Sequence, residues 1–236
     1  MRSAVRRLPG RLRRRLAAEV RPRVQASRGK VVDALAGAQR RTGADAVALT
    51  FDDGPHPGTT DRVLDLLGDA GVRATFFCVG RNAVAHPGLL RRIRAEGHAI
   101  GSHSWSHPDP QRAPLRALAE DYRRGHLAVA EALGEPVRLF RPPRGWLDPV
   151  RAVQLRRLGL RPTLWSLDPQ DWHPDAEASA VEEAVAGSRP GDVVLLHDWI
   201  EQPWHPRALT RGATLSALPA VLERLTAVGT RFTTLG

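Results

Sequence analysis

The stretch Val47-Ala48-Leu49-Thr50-Phe51-Asp52-Asp53-Gly54-Pro55 decides how this chain is read. An apolar run suited to a buried strand leads straight into two adjacent carboxylates, and Gly-Pro then turns the chain. Like charges at the end of a buried strand call for something beside them that neutralises them. Side chains alternate across a strand, so neighbouring residues point in different directions. One carboxylate can hold a cation while the other faces whatever that cation activates. The arrangement is the one expected of a metal-dependent hydrolase, and its other parts should lie at the ends of other strands.

From residue 46 onward, apolar runs at 47–51, 74–79, 99–103, 137–141, 161–167, 192–197 and 231–235 alternate with amphipathic stretches. These stretches lie near 59–70, 85–96, 112–133, 148–158, 176–187 and 213–228. Thr59 and Thr60 are candidate caps for the first helix. Gly71, Gly97, Gly134, Gly159 and Gly229 follow helix-like stretches, where a left-handed residue is wanted. Seven strand candidates separated by helices predict an α/β fold, a distorted TIM-like seven-stranded (β/α) barrel over 46–236. The unusual polar residues fall at the C-terminal ends of the runs: Asp52-Asp53, His103, Arg141, Asp168 with Asp171, and His197-Asp198. In βα barrels that face carries the active site.

His103-Ser104-Trp105-Ser106-His107 places two imidazoles four residues apart. On a helical turn or a tight loop both can aim at one point. Two His with one Asp would leave a coordination position open for water, as catalytic zinc sites do. A cap for a turn is the structural alternative for Asp52-Asp53. It leaves the His pair, Arg141 and His197 at the other strand ends without an account.

Five segments carry a resemblance, in chain order: Thr50-Phe51-Asp52-Asp53-Gly54-Pro55, His103-Ser104-Trp105-Ser106-His107, Arg141-Pro142-Pro143-Arg144-Gly145, Asp168-Pro169-Gln170-Asp171-Trp172 and Leu195-Leu196-His197-Asp198. They resemble the motifs of polysaccharide deacetylases, the carbohydrate esterase family 4 enzymes with a NodB-homology domain. The resemblance implies that Asp53, His103 and His107 hold a metal, zinc or another divalent transition ion such as cobalt. It implies Asp52 as general base, His197 as general acid, Arg141 orienting Asp52, and Asp171 rather than Asp168 orienting His197. Arg144 would supply a backbone N–H to the oxyanion, and Trp172 and Leu195 would wall an acetyl pocket. The implied activity is removal of N-acetyl groups from an N-acetylglucosamine-containing glycan such as peptidoglycan or chitin oligomers. An amidase or deformylase acting on a small or lipid-linked sugar is the nearest alternative on this scaffold, and a catalytically silent glycan-binding module the third.

Arg144 departs from the Tyr usual in this family and implies a positive charge at the groove, followed by Trp146. Trp199, Trp204 and His205 are candidates for a sugar-stacking rim or for loop packing. His98 reads as a hydrogen-bonded structural residue, His86 and His126 as surface helix residues, and His56 and His173 as neighbours of motifs. The lone Cys78 sits in an apolar run and reads as a buried, inert thiol.

The net charge of +10 belongs to residues 1–45, where thirteen basic side chains face three acidic ones; the remainder is neutral. No nucleic-acid partner is therefore expected for the domain. Leu8, Leu12, Leu16 and Val20 recur among the arginines, with Pro9 and Pro22 limiting any helix. This pattern suits a basic amphipathic anchor for an anionic membrane surface or polyanion, or else a disordered tail. No signal-peptide core or transmembrane run is visible, so a cytoplasmic or peripheral-membrane location is expected, with unconventional export as the other route.

Overall fold

The computed structural model describes residues 29–203 and 205–236. Its centre is β1 (Ala48–Asp52), whose five residues are all buried. Apolar side chains on both faces suit a strand covered on both sides. β1 pairs in parallel with β2 (Thr75–Cys78) and with β5 (Val193–His197). β3 (Ala99–Ser102) and the short β4 (Leu139–Phe140) extend the sheet in the order β4-β3-β2-β1-β5. The crossovers are α1 (Thr60–Asp69), α2 (Gly80–Ala85), α3 (Pro87–Ala95) and α4 (Leu115–Leu133), then α5 (Pro149–Arg157) and α6 (Ala178–Ala186), with α7 (Gly212–Ala227) after β5. Leu49, Phe51 and Phe76 of the sheet pack with Leu64 and Leu67 of α1 and with Leu218 and Leu222 of α7 in the main core.

The expected seven strands are five, and no continuous barrel ladder forms among the described residues. The 161–167 run touches the two sheet edges through single bridges, Phe140–Pro162 and Leu167–Val194. Its ends bond to the two edge strands, but its middle is committed elsewhere: Pro162 has no N–H, and the Thr163 and Leu164 carbonyls accept from the Arg141 guanidinium at 3.0 and 3.2 Å. The 231–235 run makes one bridge, Phe232 with Val47, and among the described residues no ladder, because β1 from Ala48 onward is already paired on both sides. Chain packing begins before residue 46. Gln39 bridges Thr163, and Arg41 pairs with Asp192 at 2.9 Å. The Leu8–Val20 pattern lies outside the described residues, as does Trp204. No helix among the described residues is long and apolar enough to cross a membrane.

Five glycines end helices as local chemistry requires, whereas the candidate caps of α1 do not cap it. Gly71, Gly97, Gly134, Gly159 and Gly229 take φ of 65, 83, 79, 72 and 74°, the left-handed conformation that ends a helix. Thr59 stands at the N-cap of α1 without a side-chain cap, and Thr60 turns its hydroxyl to Asp198 instead. Cys78 is buried, and burial, with Asp198 and Asp52, raises its thiol well above the ordinary value.

Where α4 crosses the loop carrying the His pair, the helix presents Gly125. A Cβ there would overlap the backbone of Ser104 and Trp105. Ala is the better helix former by ~1 kcal/mol, yet Gly125→Ala should destabilise the protein by about 1–3 kcal/mol through overpacking. Urea unfolding of the two proteins measures the difference.

Candidate active site

Parallel register brings the C-terminal ends of the strands together, with Asp52 level with His197 of β5 and Phe77 of β2. Asp53 leaves the strand with φ 79°, and Ser104, His107 and Arg144 also adopt positive φ at 68, 54 and 57°. Three of these, Asp53, His107 and Arg144, line one cavity, and such sites are where stored backbone strain tends to accumulate. The His pair lies on a tight loop rather than a helical turn. Ser104 Oγ accepts the His107 N–H at 2.9 Å. Asp121 of α4 accepts from the backbone N–H of Trp105 and Ser106 and from the Ser106 hydroxyl.

Asp53 Oδ1 lies 3.4 Å from His103 Nε2 and 3.5 Å from His107 Nε2. The three ligand atoms fall within 4.8 Å of one another. His103 Nδ1 donates to the Arg141 carbonyl at 2.7 Å, which leaves the Nε2 lone pair facing the group. Burial takes His107 down to about 4, so its imidazole is neutral, the form that ligates. Asp53 Oδ1 is buried and has no hydrogen-bond partner. A buried carboxylate oxygen without a donor is costly unless a cation meets it, so this donor set fits a divalent metal.

Asp52 is held from the other side. The Arg141 guanidinium is fully buried and donates to Asp52 Oδ1 at 2.7 Å and to Thr50 Oγ1 at 2.8 Å. It stacks over Phe77 at 4.0 Å, and its remaining donors reach the two carbonyls of the 161–167 run. Asp52 Oδ2 is left toward His103, at 3.7 Å. Burial lowers the pKa of Arg141, and the charge of Asp52 works against that.

His197 Nδ1 donates to Asp171 Oδ1 at 2.7 Å. Asp171 is fully buried and also accepts from the His197 N–H at 2.9 Å and from Thr214 Oγ1 at 2.7 Å. The buried Arg211 completes its shell. Asp168 plays a different part, accepting from the Gln170 N–H and from the Trp172 indole. Burial raises the carboxyl of Asp171, but His197 and Arg211 outweigh it and hold the group below its ordinary value. For His197, burial opposes the imidazolium. The charge and hydrogen bond of Asp171, aided by Asp53 and Asp52, prevail and raise its pKa.

Asp52, Asp53, His103, His107 and His197 line one cavity of about 540 Å³, together with Arg144, Trp172 and Leu195. The Arg144 guanidinium is not a free charge, because Asp109 accepts from it at 2.9 Å. Trp165, Ile200 and Gln202 also line the cavity and were not singled out by the sequence. Trp199 is stacked on His56 with ring centroids 3.5 Å apart. His126 accompanies Ser102 at 2.8 Å and is half-buried rather than a surface residue. His98 Nδ1 accepts from the Ala74 N–H.

Asp198 was quoted within its motif without a role. Its carboxylate accepts the Gly54 N–H at 3.1 Å and the Thr60 hydroxyl at 2.5 Å, and burial pushes it up to about 7. Its signal was its position, a second polar residue at a strand end, as at Asp52-Asp53. Thr214, Arg211, Asn82 and Glu201 carry no comparable signal, since only the tertiary fold brings them to the site.

The polysaccharide deacetylase family model matches residues 39–163. Among curated proteins, the chain is 37% identical over 183 residues to a chitooligosaccharide deacetylase of Rhizobium leguminosarum bv. trifolii, covering 76% of this chain and 85% of that one. It is 35% identical over 190 residues to a peptidoglycan-N-acetylglucosamine deacetylase of Bacillus cereus, covering 80% and 85%. Among solved structures, a family 4 carbohydrate esterase from Streptomyces lividans in complex with acetate superposes with a TM-score of 0.69 at 33% identity, covering 82% of this chain and 94% of that one. With the family model spanning over half the chain and these relatives matched over most of their length, the chain belongs to the polysaccharide deacetylase family.

The Asp171–His197 pair gives a pH signature. The raised His197 pKa stabilises the fold below the unfolded value of 6.5, and this contribution is lost as pH rises through the folded value. In Asp171→Asn, burial acts with less opposition, so the imidazole should titrate lower than in the wild type. Imidazole NMR titration of the metal-free proteins reads the shift. An unchanged His197 titration would contradict the assignment.

Proposed function

We propose that this chain is a metal-dependent deacetylase that hydrolyses N-acetyl groups on an N-acetylglucosamine-containing glycan of the chitin or peptidoglycan type. The observation that carries the reading is one cavity lined by the Asp53–His103–His107 set, with Asp52 and His197 as separate proton-handling groups on different strands. The similarity to a chitooligosaccharide deacetylase and a peptidoglycan-N-acetylglucosamine deacetylase supports the substrate class. Zinc is the proposed ion, with cobalt or another divalent transition metal as substitute.

Such an ion, when bound, lowers the pKa of a coordinated water toward ~7 and polarises a carbonyl. The residues of the chain supply the rest. Asp52, fixed by Arg141 through Oδ1, offers Oδ2 to take the proton of the attacking water. Asp53, with Oδ2 engaged by the Glu201 N–H, keeps Oδ1 for the cation. The Arg144 N–H is proposed as a donor to the developing oxyanion of the amide. His197, whose pKa is raised by the charge and hydrogen bond of Asp171, gives its proton to the departing amine. Leu195 and Trp172 border the space for the acetyl methyl. Because Asp109 already matches the Arg144 charge, a neutral sugar meets no bare cation at this point of the rim.

The two carboxylates of the opening stretch should separate cleanly in experiment. Asp52→Asn should retain metal and lose about 10²–10⁴-fold in turnover, the contribution of a positioned base. Asp53→Ala should weaken metal binding by more than the ~10–100-fold typical of removing an outer partner. Acetate release and metal content measure the two effects. Acetate release from chitooligosaccharides and peptidoglycan, abolished by chelation and restored by zinc, tests the substrate class. Silence on both polymers with turnover of a small or lipid-linked amino sugar would transfer the reading to an amidase or deformylase.

A further inference from the structure

The loop after β5 does more than carry His197. Three of its residues reach into the segments that hold the metal ligands. Asp198 accepts the Gly54 N–H, next in the chain to Asp53, at 3.1 Å. Gln202 Nε2 donates to the Ser106 carbonyl, next to His107, at 3.0 Å. Between them, the Glu201 N–H donates to Asp53 Oδ2 at 2.9 Å.

Glu201 is the unusual member. Its side chain is only 3% exposed, although it carries a carboxylate. Burying that charge is expensive unless it is paired and hydrogen-bonded. The partners are the Arg81 guanidinium and the Asn82 amide, which donates to Glu201 Oε2 at 2.7 Å. The same Asn82 amide nitrogen donates to the Asp53 carbonyl at 2.9 Å. A closed circuit results: Asp53 carboxylate to Glu201 backbone, Glu201 carboxylate to Asn82, and Asn82 back to the Asp53 backbone. It grips one residue at both its main chain and its side chain. It also occupies Oδ2 and leaves Oδ1 as the oxygen that faces both imidazoles.

We propose that Glu201 and Asn82 are positioning residues for the metal ligand Asp53, acting as a strap that fixes its backbone and selects Oδ1 as the ligating oxygen. Neither is among the residues lining the cavity. The strap rests on the metal reading of Asp53, His103 and His107. Ligating carboxylates are commonly oriented by such outer hydrogen bonds, and losing one costs ~10–100-fold in metal affinity.

The test is zinc affinity of the full chain, measured from the metal-free protein by competition with a chromophoric chelator. Asn82→Ala and Glu201→Ala should each raise the zinc dissociation constant by about 10–100-fold. Glu201→Gln keeps an acceptor for Asn82 and should recover most of the loss. That rescue separates positioning from simple loss of folding. Near-UV circular dichroism of the metal-free variants checks that each is folded. If Glu201→Ala misfolds, Asn82→Ala decides, because it leaves the buried Glu201–Arg81 pair in place. Wild-type zinc affinity in folded Asn82→Ala would overturn the strap, and so would equal losses in Glu201→Gln and Glu201→Ala. Failure of the wild-type chain to bind zinc would instead remove the metal reading beneath it.

Discussion

The buried ion pair between Arg141 and Asp52 is the constraint around which the rest is arranged. A fully buried guanidinium needs partners for its donors, and this one makes four hydrogen bonds, to a carboxylate, a threonine hydroxyl and two main-chain carbonyls. Removing one partner of a buried pair leaves an uncompensated charge, which costs about 3–5 kcal/mol. The pair thereby couples the proposed base to the architecture. The carbonyls taken by Arg141 belong to the segment that would otherwise have been a strand, so satisfying the base's partner and interrupting the sheet are one event. Thr50 passes the effect onward, accepting from Arg141 while donating to the Val194 carbonyl at 2.6 Å.

A second buried charge cluster mirrors the first. Asp171 takes donors from His197, Thr214 and Arg211. The two clusters stand at different strand ends and have opposite effects. Arg141 pairs with Asp52, the proposed base, while Asp171 raises the pKa of His197, the proposed acid. Environments that push neighbouring groups toward different protonation states are how a site runs acid and base chemistry together. The Asp53–His103–His107 group lies with both acid and base on the wall of the same cavity.

The parts legible in the sequence were those whose cause is local. The buried run before Asp52 and the glycines closing the helices needed no knowledge of the remaining chain. Neither did the accumulation of polar residues at strand ends, which placed the site. The 161–167 run failed as a strand for a nonlocal reason, since its composition is apolar but its carbonyls are claimed by a side chain from β4's end. The 231–235 run failed because β1 had no free edge, a fact of sheet order. Thr60 left the helix cap for Asp198, 138 positions away. Arg144 announced a positive groove, but Asp109, 35 residues earlier, answers that charge. Glu201 carries no local signal in the sequence, yet its side chain is among the most enclosed carboxylates of the described residues.

The strap also has a consequence in time. Asp53 lies near the start of the domain, yet its side-chain partner Glu201 is 148 positions later, and the orienting group of His197 depends on Thr214. Bringing such distant segments together carries a loop-closure entropy that is met only as the intervening strands and helices form. On the ribosome, a nascent chain would therefore hold its first carboxylates and both metal-facing imidazoles long before it could align them. Alignment of the proposed ligands and of the Asp171–His197 pair therefore waits until the segments carrying Glu201 and Thr214 have emerged and docked.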